Sequence, residues 1–559
     1  MFYYRAQDGE RCRYWVKLFR QCLITVLLIT WITCQVSRPL TSGASAAIRA
    51  DAARADDKEP DRTPQLFTYQ ELIELYRTEA LSDSINHKLN SLLTAPFVAN
   101  RPAGAERPAL SQSPQLGQFL RVACWNIERG LNYEAIEAAL TDEQRFAAML
   151  KPELSSAERQ EILDQTALLR AADLIVLNEV DWGVDRTGYR NVAADLAERL
   201  KMNYAFGAEF VELTPVAVSE ELPLKGENEE ETRFDRVDSA RYKGLHGTAI
   251  LSRFPLENVR LVPFEHQAYD WYEREKGGAS VIERGKRSMS DRIFLEKSPP
   301  EVRRGGRMML LAEIADPRFP SGRVSVVATH LENRTTPAKR IPQLRELLTE
   351  IRSIDHPVIL AGDMNTSTTD LTPTSAQHEI AKRIKSKSFW MKKGVSYLTG
   401  VGMVIDFTLG GVRMARTQAD PTVRYIPLIA SNPERTFFNT LKKFRFDDQG
   451  AFDFRGDPDR SSGGDDGTLA NSNERAKKGF VTTYQVNRPI KFVGKYKLDW
   501  IFIKPPRLTN PADREQSYAF APHFGRTLQA LNQGIANRIS DHNPLLVDLP
   551  LAEPPLDQR

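Results

Sequence analysis

The chain has 559 residues, of which 41% are hydrophobic and 27% charged, so it has enough apolar material for a large globular core. Its formal net charge of +3 arises at the N-terminus: residues 1–46 contain six Lys/Arg and two Asp/Glu, whereas the rest contains 70 and 71. This near-neutral body excludes binding of polyanions through bulk positive charge and leaves a local basic patch as the alternative. Cys124 is the only cysteine outside 1–46, which excludes an intramolecular disulfide framework in the body and predicts a buried structural thiol.

Residues 1–46 have the order of a targeting segment. Four basic residues between positions 11 and 20 precede the apolar run 23–36, and small residues at 42–47 follow it. The run is short for a membrane span and suits a signal peptide, with an uncleaved membrane anchor as the alternative. We therefore predict an exported protein, periplasmic or extracellular, or one that associates with a membrane through its N-terminus. No obligate protein partner is indicated.

Residues 47–118 are predicted to form a linker and an amphipathic helical region. Between Phe67 and Phe97, apolar residues recur at spacings of three and four, which predicts two helices broken near Ser82. Their apolar face either packs on the core, which is the interpretation we prefer, or lies against a membrane.

From residue 119 to 552, short apolar runs of β type alternate with helical stretches, and polar residues end the runs. This pattern predicts one α/β layered domain whose site lies along the strand ends. Insertions interrupt it near 215–243, 265–306 and 445–480, and 553–559 form a tail. The predicted strands are 120–125, 174–177, 247–252, 308–314, 324–329, 358–361, 498–503 and 545–549, and the predicted helices are 157–172, 190–201 and 337–352.

Polar residues that are able to do chemistry lie at six of these strand boundaries. Each has a purely structural explanation by itself, because Asn and Asp favour turns and helix caps and a histidine can be satisfied in a core. Six such sites in one domain nevertheless indicate a common function. They are Asn126, Glu179, His330, Asp363 with Asn365, Asp499, and Ser540-Asp541-His542.

Three of these residues form a candidate metal site. Glu179, with Asn126 and Asp541, offers the oxygen ligands that suit Mg²⁺, and Mn²⁺ is the alternative. Such a cation keeps most of its waters and binds substrate phosphate. No Cys/His zinc spacing, Walker loop or Gly-x-Ser-x-Gly elbow competes with this interpretation.

The other residues are candidate catalytic groups. His330 and His542 can donate hydrogen bonds to phosphate oxygens or transfer protons, and Asp499 can hold a histidine in one protonation state. Asp363 can serve as a general base, and Asn365 beside it can orient a water molecule for attack on phosphorus.

The order of these motifs resembles the endonuclease/exonuclease/phosphatase (DNase I-like) superfamily of metal-dependent phosphohydrolases. The resemblance covers roughly residues 119–550 and implies a four-layer α/β sandwich, with two packed mixed β-sheets flanked by helices. It also implies Mg²⁺-dependent hydrolysis of a phosphoester by in-line attack of water. The matching segments are Trp125-Asn126, Asn178-Glu179, His246-Gly247 through Ser252-Arg253-Phe-Pro255, Thr329-His330, Gly362-Asp363-Met-Asn365, Asp499-Trp500 and Ser540-Asp541-His542.

The resemblance also implies individual roles. Glu179 is implied to be the principal metal ligand, and His542, paired with Asp499, to contact the scissile phosphate. His330 resembles the DNase I and neutral sphingomyelinase branches, whereas the exonuclease III branch usually has Asn there. Arg307 lies where some members place an arginine that contacts phosphate.

The substrate is left open between two classes of phosphodiester, nucleic acid and phospholipid. The loop 181–190 follows Glu179 and contains Arg186, a candidate phosphate contact, although a plain surface loop is the alternative. A nuclease-like phosphodiesterase and a sphingomyelinase-like lipid phosphodiesterase both fit the motifs, and the near-neutral body weakens the nuclease hypothesis. A hypothesis from another functional class is a catalytically silent binding module. Such modules normally lose at least one of the dispersed polar residues, whereas this sequence retains all the main ones.

Overall fold

The computed structural model describes residues 63–101, 108–221, 237–276, 301–366, 435–462, 481–490 and 493–555. Within these ranges no helix is both long enough and apolar enough to cross a membrane. The predicted targeting segment 1–46 lies outside the described residues and stays a prediction. The same holds for 222–236, 277–300 and 463–480 of the three predicted insertions, and for 556–559 of the tail.

The strands belong to two large sheets and one ribbon. They are β1 Phe97–Ala99, β2 Ser111–Ser113, β3 Gly117–Arg129, β4 Leu174–Trp182, β5 Asn203–Glu212, β6 Leu245–Ser252, β7 Glu257–Pro263, β8 Arg303–Gly305, β9 Met308–Ala315, β10 Arg323–His330, β11 Val358–Asp363, β12 Tyr484–Ile490, β13 Val493–Tyr496, β14 Asp499–Lys504, β15 His523–Thr527 and β16 Leu545–Pro550. All eight predicted strands are present.

The helices lie before, between and after these strands. They are α1 Tyr69–Arg77, α2 Asp83–Thr94, α3 Tyr133–Thr141, α4 Glu143–Ala148, α5 Ser156–Arg170, α6 Val192–Leu200, α7 Thr214–Glu221, α8 Glu273–Lys276, α9 Pro337–Ile351, α10 Arg435–Lys443 and α11 Leu531–Gly534. The three predicted helices correspond to α5, α6 and α9. Short 3₁₀ turns occur at Asp185–Thr187, Pro320–Gly322 and Pro458–Arg460.

Both large sheets are mixed. The larger has the order β1-β5-β6-β4-β3-β16-β15, with β2 added on β3 and β8 added on β5, and the smaller has the order β14-β11-β10-β9-β7. Strands β3 and β4 run parallel in the first sheet and β10 and β11 in the second, whereas their other neighbours are antiparallel. Strands β12 and β13 form a separate ribbon.

The two sheets pack face to face, and helices cover their outer faces. Successive side chains of a strand point to opposite faces, and β3 shows the consequence. Its Val122 and Cys124 lie in the apolar layer between the sheets, whereas Ala123 and Trp125 lie in the layer under the helices. The leucines of α9 cover the smaller sheet in the same way. The predicted four-layer α/β sandwich and the buried Cys124 are therefore confirmed.

The amphipathic region before residue 97 is part of this core. Helix α1 begins with a capping box between Thr68 and Glu71. The apolar faces of α1 and α2, represented by Leu72 and Leu92, are buried in the helix layer over the larger sheet. These faces pack on protein as preferred from the sequence, and they are not available to a membrane.

Strand β5 is the main element that the sequence pattern did not predict. Its sequence, Asn-Tyr-Ala-Phe-Gly-Ala-Glu-Phe-Val-Glu, carries Glu209 and Glu212, which indicate an exposed segment when only neighbours in the chain are considered. Both glutamates are buried in the fold, because each forms an ion pair with an arginine from elsewhere in the chain, Arg307 and Arg186 respectively.

Candidate active site

The polar strand ends from both sheets meet at one edge of the sandwich. Asp363 at the end of β11 is the register partner of His330 on β10 and of Asp499 on β14. From the other sheet, β3 supplies Asn126 and β4 supplies Glu179. Strand pairing within each sheet and the packing of the two sheets thus place together five residues that are distant in sequence.

Asn126 links the two sheets at this edge. Its Nδ2 donates hydrogen bonds of 3.2 Å to Oε1 of Glu179 and of 3.2 Å to Oδ2 of Asp363. Its Oδ1 accepts from the backbone N–H of Glu128 at 3.0 Å. The carboxylates of two different sheets are therefore bridged by one buried amide.

The loop before β16 carries the last two site residues. Oγ of Ser540 donates to the carbonyl of Asn126 at 2.7 Å, and Nε1 of Trp125 donates to the carbonyl of His542 at 3.1 Å. The N–H of Asp541 donates to Oε2 of Glu128 at 2.9 Å. These bonds attach the loop to the end of β3, so Glu128 holds the loop rather than standing free as a ligand.

His542 is paired with a carboxylate, as the sequence predicted. Its Nδ1 lies 2.7 Å from Oδ2 of Asp499, and its Nε2 lies 3.8 Å from Oδ2 of Asp363. Burial by itself lowers the pKa of His542, but Asp499, Asp541 and Asp363 raise it well above the ordinary value. The site therefore favours the imidazolium form of His542.

His330 has the opposite environment. Its Nε2 lies 3.7 Å from Oδ2 of Asp363, and its Nδ1 lies 2.8 Å from Nη1 of Arg307. Burial and the charge of Arg307 lower the pKa of His330 well below the ordinary value. The two histidines thus approach the same carboxylate oxygen in different protonation states.

Asp363 lies between the histidines and is constrained at both oxygens. Its Oδ1 accepts from the backbone N–H of Asn365 at 2.8 Å. Burial and the neighbouring Asp499 raise the pKa of Asp363 to about 6, although His542 opposes this shift. A carboxyl group with a pKa near neutrality is suited to accept a proton from water.

The candidate metal ligands differ in their electrostatics. Burial by itself raises the pKa of Glu179, but the neighbouring His330 and the positive charge of Arg129 hold it well below the ordinary range. Burial, together with the nearby charge of Glu128, raises the pKa of Asp541 to about 7. His542 opposes this rise in the pKa of Asp541 but does not cancel it.

The backbone of the site is strained at the functional residues. Glu179 has φ +52° and Asn365 has φ +46°, a left-handed conformation that residues with a side chain adopt at a cost. Gly362, just before Asp363, has φ +148°, and a Cβ at this position would lie 1.8 Å from the carbonyl oxygen of Thr329. A glycine is required there, because strands β10 and β11 approach too closely for a side chain.

Two residues that the sequence did not mark as functional help to form the site. Asn178, at the core of β4, donates to Oγ1 of Thr248 and to the carbonyl of Thr329, and its Oδ1 accepts from the N–H of Asp363 at 2.8 Å. Tyr484 of the ribbon lies with its ring centre 4.8 Å from that of His542. The sequence signal for Asn178 was an asparagine inside an apolar strand. No sequence signal pointed to Tyr484.

The two arginines predicted to contact phosphate lie among carboxylates. Arg186 donates to Asp181 and Glu212 through all three of its nitrogens, at 2.6 to 3.1 Å. Arg307 is 1% exposed, and its Nη1 is bonded to Glu209 at 2.6 Å. Direct phosphate contact stays a prediction for both arginines.

Two groups of residues, with no member in common, could hold a cation. The ligand atoms of Asp363, Asp499 and His542 all lie within 4.8 Å of one another. This group offers a nitrogen, and its Asp499 and His542 are already bonded to each other. The predicted group offers oxygen, through the carboxylates of Glu179 and Asp541.

Asn126 is the member of the predicted group that fits less well. It turns its Nδ2, not its oxygen, toward Glu179 and Asp363. The two carboxylates of the predicted group have the donor chemistry of an Mg²⁺ or Mn²⁺ site, and Asn126 joins them as a ligand only if its amide turns over.

Comparisons with known proteins agree with this arrangement. A model of the Endonuclease/Exonuclease/phosphatase family matches residues 123–542, a range that contains every predicted site residue. Among curated proteins, nothing matches the chain.

Several solved structures are similar to the chain. An endonuclease/exonuclease/phosphatase from Beutenbergia cavernae is 19% identical over 78% of this chain and 72% of its own, with a TM-score of 0.34. The human Nocturnin catalytic domain with bound sulfate anion is 14% identical over 77% and 93%, with a TM-score of 0.32. A 3'-5' exonuclease from Neisseria meningitidis is 12% identical over 77% and 99%, with a TM-score of 0.35.

Proposed function

This chain belongs to the endonuclease/exonuclease/phosphatase family, and we propose that it hydrolyses phosphodiester bonds, as a nuclease does, by metal-assisted in-line attack of water. Members of this family are phosphoester hydrolases and generally depend on a divalent metal. The observation that carries the proposal is the convergence of His542, His330 and Asp363, with His542 backed by Asp499 at 2.7 Å. These groups can bind a phosphate and accept a proton beside it.

Each residue is assigned a role in this proposal. Asp363 takes a proton from the attacking water, which Asn365 helps to orient. His542, held as imidazolium by Asp499, donates its Nε2–H to a phosphate oxygen and stabilises the charge that develops there. His330 lies on the other side of Asp363 and donates its Nε2–H to a phosphate oxygen.

A divalent cation completes the proposed site. Mg²⁺ is the proposed ion and Mn²⁺ the alternative, with Glu179 as the principal ligand and Asp541 and Asn126 beside it. When bound, such an ion polarises the phosphate and neutralises charge in the transition state. The all-oxygen carboxylate pair favours these ions over zinc, which prefers nitrogen and sulfur ligands.

The choice of substrate is narrowed by one structural fact. The lipid alternative drew on an apolar face before residue 97, and that face is buried against the larger sheet. Nucleic acid is therefore the proposed substrate class, and a sphingomyelinase-like activity is an outcome that the assay is designed to detect.

The test is an assay of the full chain against double-stranded DNA, sphingomyelin vesicles and the synthetic diester bis-p-nitrophenyl phosphate, with Mg²⁺, Mn²⁺ or a chelator. We expect diester hydrolysis that needs the divalent cation and is lost in His542→Ala. The matched control is His356→Ala, since His356 is also buried but bonds to Ser325 at 2.8 Å, outside the site. Turnover that survives His542→Ala or the chelator contradicts the mechanism.

A further inference from the structure

We propose that Arg307 is a positioning residue: it fixes His330 as the tautomer with its proton on Nε2, so that this N–H faces the reacting phosphate. The proposal concerns a residue that does not touch the substrate and acts through one that does. Only the last step, donation to phosphate, rests on the proposed function. The tautomer itself is a property of the folded chain.

The direction of the hydrogen bond between the two residues follows from the chemistry of a guanidinium. Nη1 of Arg307 lies 2.8 Å from Nδ1 of His330 and 2.6 Å from Oε2 of Glu209. A guanidinium has donors and no acceptor, so Nδ1 of His330 must accept. The proton of the neutral ring is then on Nε2, and a second proton on Nδ1 would face a cation.

Nε2 of His330 is the atom that this arrangement leaves for a ligand. It is buried and has no hydrogen-bond partner in the described part of the chain. Its nearest charged neighbour is Oδ2 of Asp363, 3.7 Å away, which is beyond hydrogen-bond distance. A buried N–H without a partner is unfavourable, and this cost is recovered when a phosphate oxygen accepts from it.

Arg307 is itself held in one orientation by a buried chain of hydrogen bonds. Oγ1 of Thr248 donates to Oε1 of Glu209 at 2.6 Å, and Nδ2 of Asn178 donates to Oγ1 of Thr248 at 3.0 Å. Oδ1 of Asn178 accepts from the N–H of Asp363 at 2.8 Å. The same chain of buried groups therefore places both His330 and the backbone of Asp363, although they belong to the smaller sheet and Asn178 to the larger one.

Direct contact between Arg307 and the substrate is the competing assignment. The side chain is 1% exposed, and its Nε lies 3.5 Å from Oε2 of Glu332, with the Nη1 protons given to Glu209 and His330. The guanidinium carbon of Arg307 lies 5.2 Å from the centre of the Phe210 ring. Nη1 of the guanidinium is thus committed to Glu209 and His330, whereas Nε is buried without a hydrogen-bond partner in the described part of the chain.

The test measures the tautomer and the rate in the same variants. The full chain is labelled with ¹⁵N-histidine, and two-bond ¹H–¹⁵N correlation spectra report which ring nitrogen carries the proton. The His330 signals are assigned by their loss in His330→Gln. The variants are Arg307→Met, which removes every donor, and Arg307→Lys, which retains a donor. Arg455→Met is the matched control, because Arg455 is also 1% exposed but is paired with Asp453, outside the site.

We expect His330 of the unmodified chain to carry its proton on Nε2 alone. Arg307→Met should lose this signature and lower kcat about 100-fold with little change in KM, because the reacting groups are misplaced. Arg307→Lys should keep the signature and recover part of the rate, and Arg455→Met should change neither. A direct phosphate contact predicts instead a raised KM and an unchanged tautomer in Arg307→Met.

A proton on Nδ1 of His330 in the unmodified chain, or an unchanged tautomer in Arg307→Met, overturns the proposal. If Arg307→Met does not fold, the unmodified chain and Arg307→Lys decide by the same spectra. A chain that shows the expected tautomer but hydrolyses no diester contradicts the proposed function and leaves this inference standing.

Discussion

The Nδ1 atom of His542 and the Oδ2 atom of Asp499 lie 2.7 Å apart, although the two residues are 43 positions apart in the chain. Asp499 is itself fixed as the register partner of Asp363 on the neighbouring strand. The pair therefore couples the charge of an imidazolium to the position of the proposed general base.

Replacing Asp499 by Asn should abolish most of the activity. The amide cannot stabilise imidazolium as a carboxylate does, so kcat should fall by about 10² to 10⁴-fold while circular dichroism shows a folded protein. Asp316→Asn is the matched control, since Asp316 is also buried and pairs with Arg318 at 2.8 Å away from the site. Equal rates for Asp499→Asn and the unmodified chain would sink the assigned role.

Replacing Glu179 by Gln should weaken metal binding. Loss of the carboxylate removes the principal proposed ligand, and we expect at least a roughly 10 to 100-fold loss of Mn²⁺ affinity in a calorimetric titration. Glu128→Gln is the comparison, because Glu128 is bonded to the N–H of Asp541 and to Arg538. It should bind Mn²⁺ nearly as the unmodified chain does, and a larger loss in Glu128→Gln than in Glu179→Gln would reverse the assignment.

Replacing Gly362 by Ala should destabilise the fold by more than the cost of placing an alanine at a positive φ. The new Cβ would lie 1.8 Å from the carbonyl of Thr329, so strands β10 and β11 must separate. We expect a loss of more than about 3 kcal/mol in urea unfolding. At Gly322, which has φ +73° and open space around it, the same change should cost about 1 kcal/mol. Similar losses at the two positions would contradict the close approach.

Asp173 should make the stability of the fold depend on pH. Burial raises its pKa from 3.8 to about 6, so the folded state prefers the protonated form. The stability contribution is present below pH 3.8 and is lost as pH rises through about 6. Asp173→Asn keeps an acceptor for the N–H of Arg121, bonded at 2.8 Å, without the charge. Relative to this variant, the unmodified chain should lose about 3 kcal/mol between pH 4 and 7, measured by unfolding in urea. Parallel pH profiles would show that Asp173 does not titrate in this way.

Replacing Leu92 by Ala should destabilise the whole domain. Leu92 of α2 is fully buried in the helix layer over the larger sheet. We expect a loss of about 2 to 5 kcal/mol in the free energy of unfolding. Leu131 is 47% exposed, and Leu131→Ala should change stability by less than about 0.5 kcal/mol. An unchanged stability in Leu92→Ala would mean that α2 is not part of the cooperative fold.

Much of the site was predictable because its signals are local. A strand of alternating or continuous apolar residues that ends in a polar group is visible within about ten residues. Glu179, His330 and Asp363 each stand at such an end, and the pairing of parallel strands brings His330 and Asp363 together. Motif order then identified the family, which the match over residues 123–542 confirms.

The placement of the two predicted arginines was not predictable in the same way. Arg186 was a candidate phosphate contact because it lies in the loop after Glu179, and Arg307 because it lies where some members of the family place an arginine that contacts phosphate. In the fold, Arg186 is held by Asp181 and Glu212, and Arg307 is buried against Glu209. A sequence shows that a charge is present but not whether an opposite charge arrives to permit its burial.

The sequence by itself determined eight of the sixteen strands of the described chain, their polar ends and the family, since these depend on residue type and short-range periodicity. Only the tertiary structure decided which buried groups contact the polar residues at those strand ends. Glu209 and Arg307 are 98 residues apart, yet they meet in the core and set the hydrogen bond to His330. Burial of charge is stable only in pairs, and strand pairing and sheet packing bring this pair together.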